Sequence, residues 1–265
     1  MSSRFRTRPA PARRLRVAIL GLGRAGKALR NSLRAAGHSV VRLERGSSPR
    51  RSFDLIALAV PDDAIRGESR RLARGGTRGR LAIHLSGALD SSALAPFARA
   101  GSKTASFHPL RSFSGKRSEN LRDCLVAVEG DPAAIRDARR LAREIGAIPW
   151  NVSAGSKPLY HAAATLAAGG TASLIAAASR AAAEAGLPMP DALRGFAALA
   201  ASAAENVQKL GFPSGATGPL ARGDRATLRL HRRALAARPG LRRLYEELAR
   251  AYRGLILVDR HSGRH

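Results

Sequence analysis

Lys157 and His161 stand four residues apart at the start of an alanine-rich stretch, KPLYHAAA, so a helix there projects both from one face. A lysine desolvated in a closed cleft near other cations has its pKa drawn toward neutrality. It can then give a proton to a carbonyl or imine whose carbon receives a hydride. We expect Lys157 to serve as that acid and His161 to orient the substrate. Lysine is scarce in the chain, at Lys27, Lys103, Lys116, Lys157 and Lys209 only, against 41 arginines. The plainer alternative is a surface lysine beside a histidine bonded within the core.

Further along, Thr217-Gly218-Pro219-Leu220-Ala221-Arg222-Gly223-Asp224 precedes a helical stretch. Arg222 suits a clamp on a substrate carboxylate through two parallel hydrogen bonds. Asp224 would either touch substrate or cap the following helix through the amides of Ala226 or Thr227. His84 with Ser86, and His108 with Pro109, follow two short apolar runs, at the strand ends where ligands bind in open α/β sheets. Ser86 and His108 are therefore candidate substrate contacts.

The hydride donor has its own signal. Gly21-Leu22-Gly23-Arg24-Ala25-Gly26 follows a β-rich run and opens a helix. The first glycine permits the tight turn, the second lets backbone approach a pyrophosphate, and the third allows close packing of helix on sheet. A dinucleotide is the expected ligand, with Val60-Pro61 near its nicotinamide. Where a carboxylate would bind a ribose 2′-hydroxyl stands Glu44, followed by Arg45, Ser47, Ser48, Arg50 and Arg51. The basic and hydroxyl side chains, Arg45 and Ser47 first, favour the 2′-phosphate of NADP over NAD. A deazaflavin such as F420 would use the same turn.

These residues need elements to hold them. Apolar runs at 15–20, 39–43, 54–60, 80–85, 103–107, 124–128 and 147–150 read as strands, and helical spacing recurs at 24–36, 62–73, 91–100 and 132–145. Such alternation specifies an open, mostly parallel α/β sheet. After Trp150 the period of two disappears, and stretches 156–185, 190–210, 224–237 and 241–257 read as helices. The organisation expected is a disordered basic leader over 1–14, a dinucleotide-binding domain over 15–152, an all-helical substrate and dimerisation domain over 153–258, and a disordered tail over 259–265. The helix from Ser156 is apolar on several faces, which suits a homodimer interface.

Taken in order, the glycine turn, VPDDAI (60–65), HLSGAL (84–89), FHPLRSF (107–113), KPLYHAAA (157–164) and TGPLARGD (217–224) resemble bacterial Rossmann-like proteins whose C-terminal half is domain of unknown function 2520. That family is similar in architecture to pyrroline-5-carboxylate reductases, ketopantoate reductases and β-hydroxyacid dehydrogenases. The resemblance implies an NAD(P)-dependent reductase with a helical substrate and dimerisation domain. In β-hydroxyacid dehydrogenases a lysine and an asparagine occur at the spacing of Lys157 and His161, the lysine acting as acid/base. One departure is Gly169-Gly170, where the resemblance leads one to expect a polar residue, often asparagine. Among substrates, ketopantoate-like 2-oxoacids come first and cyclic imines second, since Arg222 suits the carboxylate of either.

Composition narrows the alternatives. The 265 residues carry a formal charge of +27, which attracts phosphates without regard to sequence. The arginines are spread over every segment and no basic run is interleaved with aromatics, so no specific nucleic-acid partner is expected. The single Cys124 excludes an internal disulfide and a thiolate cage, and no metal is expected. No apolar run looks long enough to span a membrane, and the start lacks a secretory pattern, so a cytoplasmic protein is expected. The rival readings are a dinucleotide-binding sensor without turnover and a basic polyanion binder.

Overall fold

The computed structural model describes residues 13–262; most of the expected leader lies outside them. The chain divides into two compact units, with the boundary in sequence between Leu166 and Ala167.

The first unit is built on a seven-stranded sheet: β1 (Arg16–Leu20), β2 (Ser39–Leu43), β3 (Ser52–Leu58), β4 (Arg78–His84), β5 (Lys103–Pro109), β6 (Leu125–Gly130) and β7 (Ile148–Asn151). Their order is β2-β1-β3-β4-β5-β6-β7. All neighbours run parallel except β5 and β6, which pair antiparallel from Ala105–Gly130 to Pro109–Val126. Helices α1 (Arg24–Ala35), α2 (Asp62–Arg74), α3 (Ala95–Arg99) and α4 (Pro132–Glu144) cover the sheet, and α5 (Lys157–Thr165) closes the unit. The fold is of the Rossmann type, with the strands near their expected places.

Strand periodicity sorts the core into two layers. Val17, Ile19, Leu55, Ala57, Ile83 and Phe107 pack with Leu29 and Leu33 of α1 and Ala138 and Leu141 of α4. Ala18, Leu20, Ile56, Leu58 and Ala82 pack on the other face with Ile65 and Leu72 of α2 and Phe97 of α3. The β5–β6 connection is fastened to α1: Asn31 Nδ2 donates to the carbonyls of Arg117 and Glu119, and the Leu121 amide donates to Ser32 Oγ at 2.7 Å. The sheet unit runs past 152, the boundary expected from composition, because the first turns of α5 anchor a buried lysine in it.

The second unit is helical: α6 (Thr171–Glu184), α7 (Met189–Leu210), α8 (Pro219–Arg222), α9 (Arg225–Ala234) and α10 (Pro239–Ser262). A π-helical turn, Leu166–Gly170, separates α5 from α6. The α6–α7 turn uses Gly186 at φ +99°, a left-handed conformation that Gly takes at no steric cost. Glu184 pairs with Arg238, and Phe212 and Tyr252 meet edge to face at 5.4 Å. Helix α10 reaches Ser262, into the segment expected as a disordered tail. Among the described residues one helical stretch, Ala154–Glu184 at 31 residues, is long and apolar enough by length and composition alone to cross a bilayer, which no run in the sequence was expected to be. The sequence reading missed it because the alanines score as only weakly apolar one at a time.

Candidate active site

The glycine turn leaves β1 at the carboxyl edge of the sheet. Chain crossovers diverge there, β1 to β2 on one side and β3 onward on the other, which is where open α/β sheets hold dinucleotides. Gly21 has φ +89°, and a Cβ there would lie 2.4 Å from the Ala59 carbonyl oxygen. A Cβ on Gly26 would lie 2.3 Å from Gly21 O. Gly23 differs: a Cβ there would meet no described atom within 4 Å, so open space faces the first turn of α1. Gly23 is the N-cap and supplies no side-chain acceptor, which leaves the first amides of α1 to an anion. The cradle fits a pyrophosphate.

Around it, Leu22 and Ala25 pack against the core, Arg24 opens the helix beside Gly115, Val60 packs against the α2 side of the sheet, and Pro61 caps α2. Arg45 and Ser47 are exposed beyond β2, with Ser47 Oγ donating to Glu44 O at 2.9 Å. The Glu44 carboxylate pairs with Arg42 at 3.1 Å. Arg50 and Arg51 do not join Arg45. They lie at the amino end of β3 beside Arg74 and Arg78, because the chain has by then returned to the opposite edge of the sheet.

The carboxyl ends of β4 and β5 carry the second cluster. His84 pairs across to Ser106 in the parallel register, so both side chains emerge on the α2–α3 face. His84 Nε2 donates to Asp90 O at 2.9 Å and its Nδ1 accepts the Ser86 amide at 3.2 Å. Both ring nitrogens are thus used in the turn, and burial pulls the pKa down to about 4. Ser86 Oγ is equally engaged: it donates to Asp62 Oδ2 at 2.7 Å and accepts the amides of Ala88 and Leu89. Asp62, in the first turn of α2, faces Ser86.

Lys157 comes up beneath this turn. Only 1% exposed, it donates from Nζ to Ser86 O at 3.2 Å and to Ser106 Oγ at 2.5 Å. Burial lowers its pKa, and the neighbouring charges that oppose the shift are acids, Glu129, Asp90 and Asp62, rather than the cations expected. One helical turn on, His161 leans over Gly87, where a Cβ would meet His161 Cδ2 at 2.4 Å and the Cε1 and Nε2 atoms of His108 at 3.0 Å. The His108 and His161 rings stand edge to face at 5.7 Å. His108 Nδ1 is 2.9 Å from the Tyr160 hydroxyl. Burial, then the charge of Lys157, lowers the His108 pKa to about 4, while burial raises that of Tyr160 to about 12.

Lys157, His161, His108 and Ser86 are therefore brought together, and the last is occupied within its own turn. Tyr160 and Ser106 were missed. Tyr160 sits in the quoted KPLYHAAA motif, so its place beside His161 was the available signal. In the second unit Asp224 accepts the Thr227 amide at 3.0 Å and the Thr227 hydroxyl at 2.7 Å, which is the capping role. Arg222 is exposed at the end of α8.

Residues 124–252 match the family of Domain of unknown function (DUF2520). The resemblance drawn from the motifs is borne out. The DUF2520 segment begins at Cys124, just before β6, and so takes in the last two strands as well as most of the helical unit. Over nearly the whole chain the fold is similar to that of protein TM1727 from Thermotoga maritima, at TM-score 0.72 and 23% identity, covering 92% of this chain and 99% of that one. It is also similar to pyrroline carboxylate reductase from Plasmodium falciparum with NADP bound, at TM-score 0.59 and 13% identity, covering 90% and 98%. An imine reductase from Myxococcus stipitatus in complex with NADP+ gives TM-score 0.58 and 16% identity, covering 94% and 95%. These likenesses are of fold. No curated protein matches the chain in sequence.

Proposed function

We propose that this protein is an NADP-dependent reductase of a small molecule's C=N or C=O bond. The observation that carries the reading is that the glycine cradle and the Lys157–His108–His161 cluster share the carboxyl edge of one sheet. When bound, the nicotinamide supplies hydride to the substrate carbon, and the heteroatom takes a proton. The chain's own residues do the rest. Arg45 and Ser47 favour a 2′-phosphate, with Glu44 drawn aside by Arg42. Lys157 ties the Ser86 turn to β5. His108 and His161 pack edge to face directly over Gly87.

Imine and pyrroline carboxylate reductases share the fold, which favours C=N substrates. Ketopantoate-like 2-oxoacids come second, with Arg222 suited to the carboxylate of either class. A homodimer through the apolar helical segment completes the proposal.

Fluorescence titration with NADPH and NADH, followed by NADPH oxidation over a panel of cyclic imines, pyrroline-5-carboxylate, ketopantoate and simple 2-oxoacids, tests the reading. We expect tighter binding of NADPH and turnover of at least one C=N compound. NADPH binding without turnover favours a sensor, and binding of a deazaflavin in place of both nicotinamides overturns the cofactor.

A further inference from the structure

Tyr160 is not explained by the glycine cradle or by the lysine beneath the turn. Its hydroxyl lies 2.9 Å from His108 Nδ1, with the two rings edge to face at 5.6 Å and 83°. A phenol is a better hydrogen-bond donor than acceptor, and an unprotonated imidazole nitrogen is a strong acceptor. The bond therefore runs from Tyr160 to Nδ1, which leaves the ring proton on Nε2. That nitrogen, with Cε1, lies at the edge facing Gly87, 3.0 Å from where a Cβ would stand.

We infer that Tyr160 is a positioning residue that holds His108 in its Nε2–H form, and that this N–H donates the hydrogen bond that orients and polarises the substrate's C=N or C=O bond. The second half rests on the reductase reading. A neutral N–H can meet a developing negative charge without first being protonated, the pattern by which an uncharged histidine serves as an electrophile. The groups facing His108 are Lys157 and His161 on α5, His84 at the end of β4 and Asp62 at the start of α2. With three of these four basic and the ring buried, His108 stays uncharged through the physiological range. Lys157 spends Nζ on Ser86 O and Ser106 Oγ, so it acts on the substrate through the turn.

The test is long-range ¹⁵N–¹H correlation spectroscopy of the histidines in the full chain, with His108→Gln used to assign the signals. His231 and Tyr245 on α9 and α10 repeat the 2.9 Å geometry and serve as an internal reference. We expect His108 to show a single Nε2–H form and to lose it in Tyr160→Phe, while His231 stays unchanged. Saturation with NADP+ should shift the His108 Nε2 signal and leave His231 in place. A proton on Nδ1, or a Tyr160→Phe spectrum identical to that of the parent, overturns the tautomer. On a compound the panel shows to be turned over, Tyr160→Phe and Gly87→Ala should each lower kcat by about tenfold or more while NADPH affinity holds. Full turnover in His108→Phe, which has no ring N–H, overturns the donor, and loss on Lys157→Ala alone returns the role to the lysine. If no panel compound reacts, the reductase reading falls and the tautomer result stands alone.

Discussion

His84 shows how a histidine at a strand end can serve the fold alone. Its ring is held between the Asp90 carbonyl and the Ser86 amide, and burial brings its pKa from 6.5 to about 4. The unfolded chain binds this proton more readily than the native one, so the contribution is complete above pH 6.5 and is lost as pH falls toward 4. The loss by pH 4.5 is on the order of 2 kcal/mol. In His84→Gln that part of the acid limb should vanish, and urea melts at pH 7 and pH 4.5 read the difference. His108 carries a similar shift in both proteins, so subtraction isolates His84. Parallel acid limbs in parent and variant would refute the assignment.

At the scale of the element, the glycine turn separates a folding requirement from a binding one. A methyl on Gly26 meets the Gly21 carbonyl at 2.3 Å and Ala59 Cβ at 3.0 Å, so α1 must lift off the sheet. We expect Gly26→Ala to lose about 1–3 kcal/mol of stability and NADPH binding with it. A methyl on Gly23 meets no described atom within 4 Å, yet it occupies the space in front of the free amides of α1. Gly23→Ala should therefore melt within about 0.5 kcal/mol of the parent and bind NADPH at least about tenfold more weakly. Thermal melts beside fluorescence titrations distinguish the two. If both variants lose stability alike, the cradle at Gly23 is part of the packing and the open space has been misread.

For the whole molecule, the exposed apolar surface sets the expectation. Leu159 and Leu166 are 77% and 75% exposed, and Leu199 and Leu210 of α7 are also largely open. Small alanine side chains on such helices allow another helix to approach closely, and a second copy would cover this surface symmetrically. Light scattering at micromolar concentration should return twice the chain mass of 28.0 kDa. A monomer that floats with lipid vesicles would instead give the apolar segment Ala154–Glu184 to a membrane.

Much of this protein was determined locally. A strand or helix declares itself through the spacing of its own apolar residues, so β1 to β7 and α1 to α4 were legible within a few positions. The glycine turn was legible too, because backbone clearance depends on residues a few places apart and on the nearest strand. Side-chain partners were not. Lys157 bonds a carbonyl 71 residues away and Tyr160 a histidine 52 residues away, and neither distance leaves a trace in local periodicity. Arg50 follows Arg45 by five positions yet lies at the opposite edge of the sheet, since a strand connection reverses the chain between them. The antiparallel pairing of β5 with β6 was likewise decided by the 110–124 connection folding onto α1. Short-range sterics and apolar spacing therefore specified the elements, whereas the packing of distant segments chose which polar atoms face one another.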